Sequence, residues 1–411
     1  MDANLSIVSG LVPHLFRIEY TKLTAVLCRH FGFDQIETAE DIASETFARA
    51  LESWSLHGIP ENPTAWLYKV AKNRTIDQIR RHRLHSGAQN ELEHFSQTAE
   101  IPGLPELSPG NIVDSQLRMI FAVCNPLVSP EAQVALALQL LCGFSVEEIA
   151  GVFLTSRETV KKRLYRAREI LRASGTDILR VKLTEIPERS ERVYLTLYLL
   201  FSEGYFSNTP GNVIRENCCA EAMRLAAILT ENKETDTPVA NALLALMCYQ
   251  ASRIPARGNY CEELILFEDQ DRQLWDRNLI DKGNHYLVKA CSSPVYSRYH
   301  IEASIAFWHT TAGDNRWQHI LDLYNRLLLL EYSPVAALNR TFAFARVNGA
   351  AAGITEAEKL GLTGNRFYHS LLGHLYAGID PAVARSHYAR AIDLSLTQVE
   401  KKTLQKQMDR L

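Results

Sequence analysis

Residues 145–172 run SVEEIAGVFLTSRETVKKRLYRAREILR, and this stretch decides what kind of protein the chain is. It has the pattern of two short helices joined by a tight turn. The first helix spans Val146 to Val152, with Ile149, Ala150 and Phe153 as its apolar contacts. Ser145 stands at the N-cap position and Glu148 follows three residues on, the spacing of a capping box. Ser156 is placed to cap the second helix, with Thr159 at the third position. Val160, Leu164 and Ala167 follow at i, i+4 and i+7 and make one apolar face. Around that face stand Arg157, Lys161, Lys162, Arg163, Arg166, Arg168 and Arg172, against Glu158 and Glu169. A helix of this length is about 25 Å long at 1.5 Å per residue, enough to lie along a major groove. Residues near its N-terminus are then placed for base edges and the later Lys and Arg for phosphates. A basic stripe alone also fits a solvated surface helix. The apolar helix, the turn and the basic helix together point to a helix-turn-helix that binds DNA.

Composition narrows the setting without naming a partner. A chain of 411 residues predicts two or three domains. The net charge of −3 carries no bulk signal for nucleic acid, so the basic charge is patterned rather than in excess. No uninterrupted apolar run approaches 18 residues, so no membrane span is expected. The first residues, MDANLSIVSG, lack a basic segment followed by an apolar one, so no signal peptide is read there and a cytoplasmic location is expected. The eight Cys form no CxxC pair, and adjacent Cys218 and Cys219 diverge on a helix. Buried free thiols fit best, with no metal site and no cofactor expected.

Leu and Ala periodicity dominates and strand-like alternation is scarce, so the fold class is all-α. Residues 10–83 form a first helical unit. Residues 84–110 are polar and bear Pro and Gly, the mark of a linker. Residues 111–173 form a second, smaller unit ending in the basic helix. Residues 178–411 form a long helical array, with breaks expected at Pro187, Pro210, Pro238, Pro255, Pro294, Pro334 and Pro381. Near its end, Leu372, Gly373 and Tyr376 are spaced as in the first helix of a tetratricopeptide repeat, and Tyr388, Ala391 and Ile392 resemble the second. Ala337 to Ala345 lies about 34 residues earlier, the period of that repeat. Residues 190–290 follow the period poorly.

Within the first unit, AEDIASETFARALESW (39–54) is amphipathic, with Ile42, Thr46, Phe47 and Ala50 on one side. In PTAWLYKVAKNRTIDQIRRHR (63–83), Trp66, Val70, Asn73 and Asp77 share a face. Lys69, Lys72, Arg74, Arg80, Arg81 and Arg83 surround it. Basic charge beside aromatics suits melted DNA, where bases stack and phosphates need neutralising. Trp66 and Tyr68 fit equally as core residues. Asn73 is the better base contact, because its amide both donates and accepts.

AEDIASETFARA, then PTAWLYKVAKNRTIDQIRR, a linker, and a helix-turn-helix ending TVKKRLYRAR together resemble a bacterial RNA polymerase sigma factor of the extracytoplasmic function (ECF) type, over roughly residues 10–173. The order matches regions 2 and 4 of that family with no region 3 between. The resemblance implies core RNA polymerase as partner, gripped at the β′ clamp helices through the neighbourhood of Asp41, Glu45 and Phe47, with the β flap as a further contact. It implies that promoter DNA is opened and read at the −10 element by Asn73 with Lys69, Lys72, Arg74, Arg80 and Arg81. It assigns the −35 element to Arg157, Glu158, Thr159, Lys161, Lys162, Arg163 and Arg166. The longer C-terminal part resembles a tetratricopeptide-like extension found in one subgroup, which implies a regulatory role.

In that extension, Asp269, Asp271, Arg272, Trp275 and Asp276 make a dense cluster suited to a small ligand, a protein partner or interdomain salt bridges. In a helix, Asp269, Arg272 and Asp276 pair at i+3 and i+4. No HExxH, P-loop, GxSxG or GxGxxG pattern accompanies them, so no enzyme is expected. Two other classes stay open on the residues alone: a helix-turn-helix regulator acting without core polymerase, and a repeat-type protein-interaction scaffold.

Overall fold

Capping side chains and prolines set where most helices begin. In the computed structural model, residues 2–85, 108–175, 186–206, 212–257, 265, 267–294, 296–311, 313 and 315–411 are described. Among them every regular element is helical, so the fold is all-α. The order is α1 (Asp2–Phe31), α2 (Ile36–His57), α3 (Pro63–His85), α4 (Pro109–Val123), α5 (Pro130–Leu140), α6 (Val146–Val152), α7 (Arg157–Ala173), α8 (Ile186–Phe206) and α9 (Asn212–Glu231). There follow α10 (Pro238–Ala251), α11 (Arg277–Ala290), α12 (Arg298–Thr310), α13 (Arg316–Leu330), α14 (Pro334–Asn348), α15 (Ala350–Leu360), α16 (Arg366–Tyr376), α17 (Pro381–Leu394) and α18 (Gln398–Asp409). Pro238, Pro334 and Pro381, expected as breaks, each open a helix at its first position. The missing N–H is no loss there, and the fixed φ suits the first turn. Pro210 lies outside the described residues.

The chain divides into two compact units, Met1–Leu200 and Phe201–Leu411, and the division falls inside α8. In the first unit, α1 packs against α2, α3, α4 and α5. Leu23 of α1 shares a core with Phe47, Ala50 and Trp54 of α2 and with Leu67, Tyr68 and Ala71 of α3, and Ile112 of α4 packs on the same cluster. The Arg29 guanidinium meets the Asp114 carboxylate at 2.6 Å beside this interface. The segments expected as separate units, 10–83 and 111–173, therefore lie in one unit, because α1 offers apolar surface to both.

That unit also extends beyond residue 173. Gln133 of α5 is buried; its amide nitrogen donates to the carbonyls of Asn125 and Val128 at 2.7 and 2.8 Å. The remaining oxygen accepts from the Thr196 hydroxyl of α8 at 3.0 Å. Val193, Leu197 and Leu200 of α8 are buried as well. The array expected to begin at 178 thus gives up the start of α8 to the first unit, since Gln133 would otherwise be left with an unmatched buried acceptor. Of the linker expected at 84–110, residues 86–107 lie outside the described residues.

In the second unit each helix from α9 to α18 packs on a neighbour in sequence. α10 is apolar nearly all round and is buried against α9, α11 and α12. Gly353 of α15 lets that helix close onto α14: a Cβ there would stand 2.3 Å from the Ala345 methyl. Gly373 of α16 likewise receives the Tyr388 ring of α17.

Candidate nucleic-acid interface

The helix-turn-helix forms as its caps require. Ser145 and Glu148 make a reciprocal capping box, with the Glu148 amide donating to Ser145 Oγ at 3.2 Å and the Ser145 amide to Glu148 Oε2 at 2.8 Å. α6 ends in a Schellman pattern: the Thr155 amide reaches the Ala150 carbonyl at 3.0 Å and the Leu154 amide the Gly151 carbonyl at 3.4 Å. Leu154 takes the left-handed position with φ 51°, where glycine is the usual occupant. The Ser156 hydroxyl then caps α7 by accepting from the Thr159 amide at 3.2 Å. Val160, Leu164, Ala167 and Leu171 are buried, and α7 packs on α5 and α6.

The basic residues of α7 separate into three groups. Lys161, Lys162 and Arg166 are exposed, with no ion-pair partner among the described residues, and Glu158 and Thr159 are exposed on the preceding turn. Tyr165, which the charge pattern did not single out, stands 64% exposed between them; its signal was its place three residues after Lys162. Arg157 and Arg163 face the turn: Arg157 pairs with Glu147 at 3.1 Å, and Arg163 stacks 5.0 Å from the Phe153 ring centre.

Arg168 and Arg172 turn the other way, onto α2. Arg168 grips the Glu40 carboxylate through both guanidinium arms, at 2.9 and 2.7 Å, and also donates to the Gln139 amide oxygen at 3.0 Å. Its side chain is only 12% exposed and that of Glu40 19%. Arg172 pairs with Glu37 of α2 and with Glu169. Burial pushes the Glu37 carboxyl up, but the Arg172 hydrogen bond and the two arginine charges outweigh it and hold the group below the usual carboxylate range. Burial acts against the charged Arg168, yet the Glu40 hydrogen bond and charge carry its pKa above the ordinary value.

On α3, Lys69, Lys72, Asn73 and Arg80 are exposed, and the three cations have no ion-pair partner among the described residues. Residues 69, 72, 73, 76 and 80 share one helical face. Arg81 is exposed next to that face. Arg74 is half-buried and pairs with Glu45 at 2.7 Å, which joins a residue expected at DNA to one expected at polymerase. Asp41 and Glu45 are exposed on α2. Phe47 is not on that surface: it is 3% exposed, edge-on to Phe16 at 5.0 Å, so it positions α2 and offers no contact face. Tyr68 is core, its hydroxyl donating to Glu19 at 2.8 Å, and Trp66 lies half-buried, edge-on to Trp54 at 5.4 Å.

The acidic cluster of the extension resolves into caps. Residues 267–276 hold two short 3₁₀ turns and no continuous helix, so Asp269, Arg272 and Asp276 do not pair as helical spacing implied. Asp271 caps the second turn, accepting from the Gln273 amide at 2.9 Å. Asp276 caps α11, accepting from the Asn278 and Leu279 amides at 2.9 and 3.2 Å. Asp269 pairs with Arg410 at 3.0 Å. Arg272 has no carboxylate among the described residues and lies 5.3 Å from the centre of the buried Trp275 ring. Among the described residues no group of three or more His, Cys, Asp or Glu is placed to hold a metal ion, and no helix is long and apolar enough to cross a membrane.

Comparison with known proteins places these elements. Residues 15–85 match Sigma-70 region 2 and residues 127–171 match Sigma-70, region 4. Residues 189–291 match a family of unknown function (DUF6596). An uncharacterized protein of Rhizobium meliloti (strain 1021) is 33% identical over 92% of this chain and 91% of its own. The ECF RNA polymerase sigma factor SigL of Mycobacterium tuberculosis is 31% identical, over 41% of this chain and 94% of its own length. The ECF RNA polymerase sigma factor SigW of Bacillus subtilis is 28% identical, over 35% of this chain and 78% of its own. No solved structure matches.

The Leu154 turn yields a direct test. A left-handed leucine costs about 1–2 kcal/mol, and its side chain is 74% exposed, so little packing is lost on its removal. Leu154→Gly should stabilise the turn by about 1 kcal/mol after glycine's greater unfolded-state freedom is subtracted. Amide exchange in α6 and α7 is then expected to slow about fivefold, and unchanged or faster exchange would show the turn to be unstrained.

Proposed function

The chain belongs to the RNA polymerase sigma factors of the ECF type, and from that premise we propose how its surfaces divide the work. Proteins of this family are transcription initiation factors, not enzymes; they bind core RNA polymerase and promoter DNA. In this chain, Lys161, Lys162 and Arg166, with Thr159 and Tyr165, read the −35 element. Asn73, flanked by Lys69, Lys72 and Arg80, reads the −10 element as it melts. Asp41 and Glu45 meet the β′ clamp helices, and α6–α7 meet the β flap. With core polymerase as partner, the protein works in the cytoplasm. The observation that carries this reading is the exposed face of Lys161, Lys162 and Arg166 on α7, without ion-pair partners among the described residues, behind a capped helix-turn-helix.

The packing of α7 on α2 adds a condition. Elements named −10 and −35 lie about 25 base pairs apart, or about 85 Å at 3.4 Å per pair. A compact unit of this size has a radius of gyration of about 16 Å and a breadth of about 43 Å. It therefore cannot touch both elements while Arg168 and Arg172 hold α7 to Glu37 and Glu40. Those acids lie one to eight residues from Asp41 and Glu45 on the same helix, so the closed arrangement also crowds the polymerase face. Opening the latch is thus a step in holoenzyme assembly, and the helical extension, a tetratricopeptide-like array beyond α8, regulates it. The extension's size and its lack of any catalytic signature support that role.

Four outcomes follow. Lys161→Glu with Lys162→Glu should abolish promoter-directed run-off transcription while core polymerase binding persists; each lost phosphate contact also lowers the log–log salt slope by about one unit. Wild-type transcription from that variant would remove α7 from the DNA interface.

Charge-assisted hydrogen bonds contribute about 1.5–3 kcal/mol, so Glu40→Gln should move the closed–open balance at least about tenfold, read as a longer distance between fluorophores on α3 and α7. Because the Glu37 carboxyl titrates below its unfolded value, its contribution is complete above the unfolded pKa and is lost only as pH falls through the lower folded one. The closed fraction should therefore not vary between pH 6 and 8 but should fall with salt. A pH-dependent fraction in that range would contradict the latch.

Truncation after residue 206, which keeps Thr196 on Gln133, should change transcription from cognate promoters. Identical output in cells would end the regulatory reading.

A further inference from the structure

Four arginines of the second unit converge on one short row of aromatic rings. The row runs Trp275, Phe267, His309, Trp317, with ring centres 6.0, 4.7 and 5.7 Å apart. Arg272 lies 5.3 Å from the Trp275 ring centre and Arg253 lies 5.1 Å from that of Phe267. Arg316 and Arg346 both stand by Trp317, at 5.3 and 5.2 Å. These residues come from the turn after α10, two 3₁₀ turns, α12, the start of α13 and the end of α14, so only the fold assembles them.

Among the described residues the counter-charge falls short. Glu268 pairs with Arg346 at 3.0 Å, and both are exposed. Among the described residues the Arg253 side chain hydrogen-bonds only to the neutral Tyr205 hydroxyl, at 2.8 Å. Arg272 and Arg316 have no hydrogen bond or ion pair from their side chains among the described residues. Asp269, Asp271 and Asp276 are engaged elsewhere, Asp269 with Arg410 and Asp271 and Asp276 as caps. The indole N–H of Trp275, a residue 3% exposed, is buried with no acceptor among the described residues. The charges are felt at the centre of the row: burial first, then Arg253, Arg316 and Arg272, push the His309 imidazole down to about 3. Burial, then Arg272 and Arg346, lower the Arg316 pKa.

Like charges held together over half-buried rings repel, and ring stacking contributes only about 0.5–1 kcal/mol per exposed pair. A purely structural brace would be matched with carboxylates, as Arg298 is with Glu302 and Glu331. We propose that Arg253, Arg272, Arg316 and Arg346 form a binding site for a small multivalent anion carried on a flat ring. Guanidinium forks recognise phosphate and carboxylate alike, and the half-buried Trp317 at the end of the row, beside the exposed Arg346, is the ring on which a planar body stacks. Phosphate esters and aromatic dicarboxylates share this chemistry. The site does not depend on the promoter reading and stands or falls apart from it.

The test uses the full chain with three probes: adenosine diphosphate, inorganic pyrophosphate and phthalate, by titration calorimetry and thermal shift at low salt. At least one is expected to bind saturably below 1 mM. A response to adenosine diphosphate and pyrophosphate marks a phosphate site, and a response to phthalate alone marks a carboxylate site. Arg272→Gln and Arg316→Gln should each weaken binding tenfold or more, while Arg390→Gln on the exposed face of α17 leaves it unchanged. Without probe, Arg272→Gln should melt no lower than the parent chain, because it relieves repulsion; Arg272 is exposed, so this variant serves even where Arg316→Gln fails to fold. Three results overturn the site: no saturable binding of any probe, equal binding by Arg272→Gln, or a lower melting temperature of that variant with probe affinity retained. A random-sequence DNA duplex that displaces the probes and binds through the same arginines would make this a nucleic-acid surface and overturn it too.

Discussion

The bidentate contact between Arg168 and Glu40 is the constraint around which the first unit is arranged. It joins the helix that carries the unpaired basic face to the helix expected to meet polymerase. Because both partners are largely shielded from water, the pair is screened less than a surface bridge, and losing one partner leaves a poorly solvated charge behind. The contact also explains why the arginines of α7 differ. One face of the helix buries Val160, Leu164, Ala167 and Leu171, one flank delivers Arg168 and Arg172 to α2, Arg157 and Arg163 face the turn, and Lys161, Lys162 and Arg166 are exposed. The same fold holds α4 and α5 on α1, so the two DNA-reading surfaces proposed above, on α3 and α7, lie in one compact unit.

The extension repeats this logic with other partners. Its acidic residues look like a chemical cluster in the sequence, yet each is consumed by a local need: a cap, a turn or a neighbouring arginine. Local backbone demand is met first, since an unsatisfied N–H at a helix start costs as much as a lost cap, about 1 kcal/mol. What remains is an excess of guanidinium over rings, a feature that arises from residues 253, 272, 316 and 346 together and from no single segment. Six of the seven described thiols are buried and none of the seven is in a disulfide, and burial pushes Cys124, Cys219 and Cys248 up to about 12, so they stay protonated and serve as packing.

What the sequence determined by itself was local. The all-α class followed from the Leu/Ala period, and the caps at Ser145 and Ser156 followed from spacings of three residues, because helix starts are governed by groups within one turn. The helix-turn-helix and the family resemblance were legible for the same reason: both live in contiguous stretches. Only the tertiary structure decided which basic residues remain free. Arg168 and Lys162 are alike in the sequence, but one meets a carboxylate 128 residues away and the other meets water. It alone placed Phe47 in the core, tied Thr196 to Gln133 across 63 residues and drew four scattered arginines to one row of rings. Such pairings depend on which faces of distant helices come together, and that is a property of packing which periodicity does not encode.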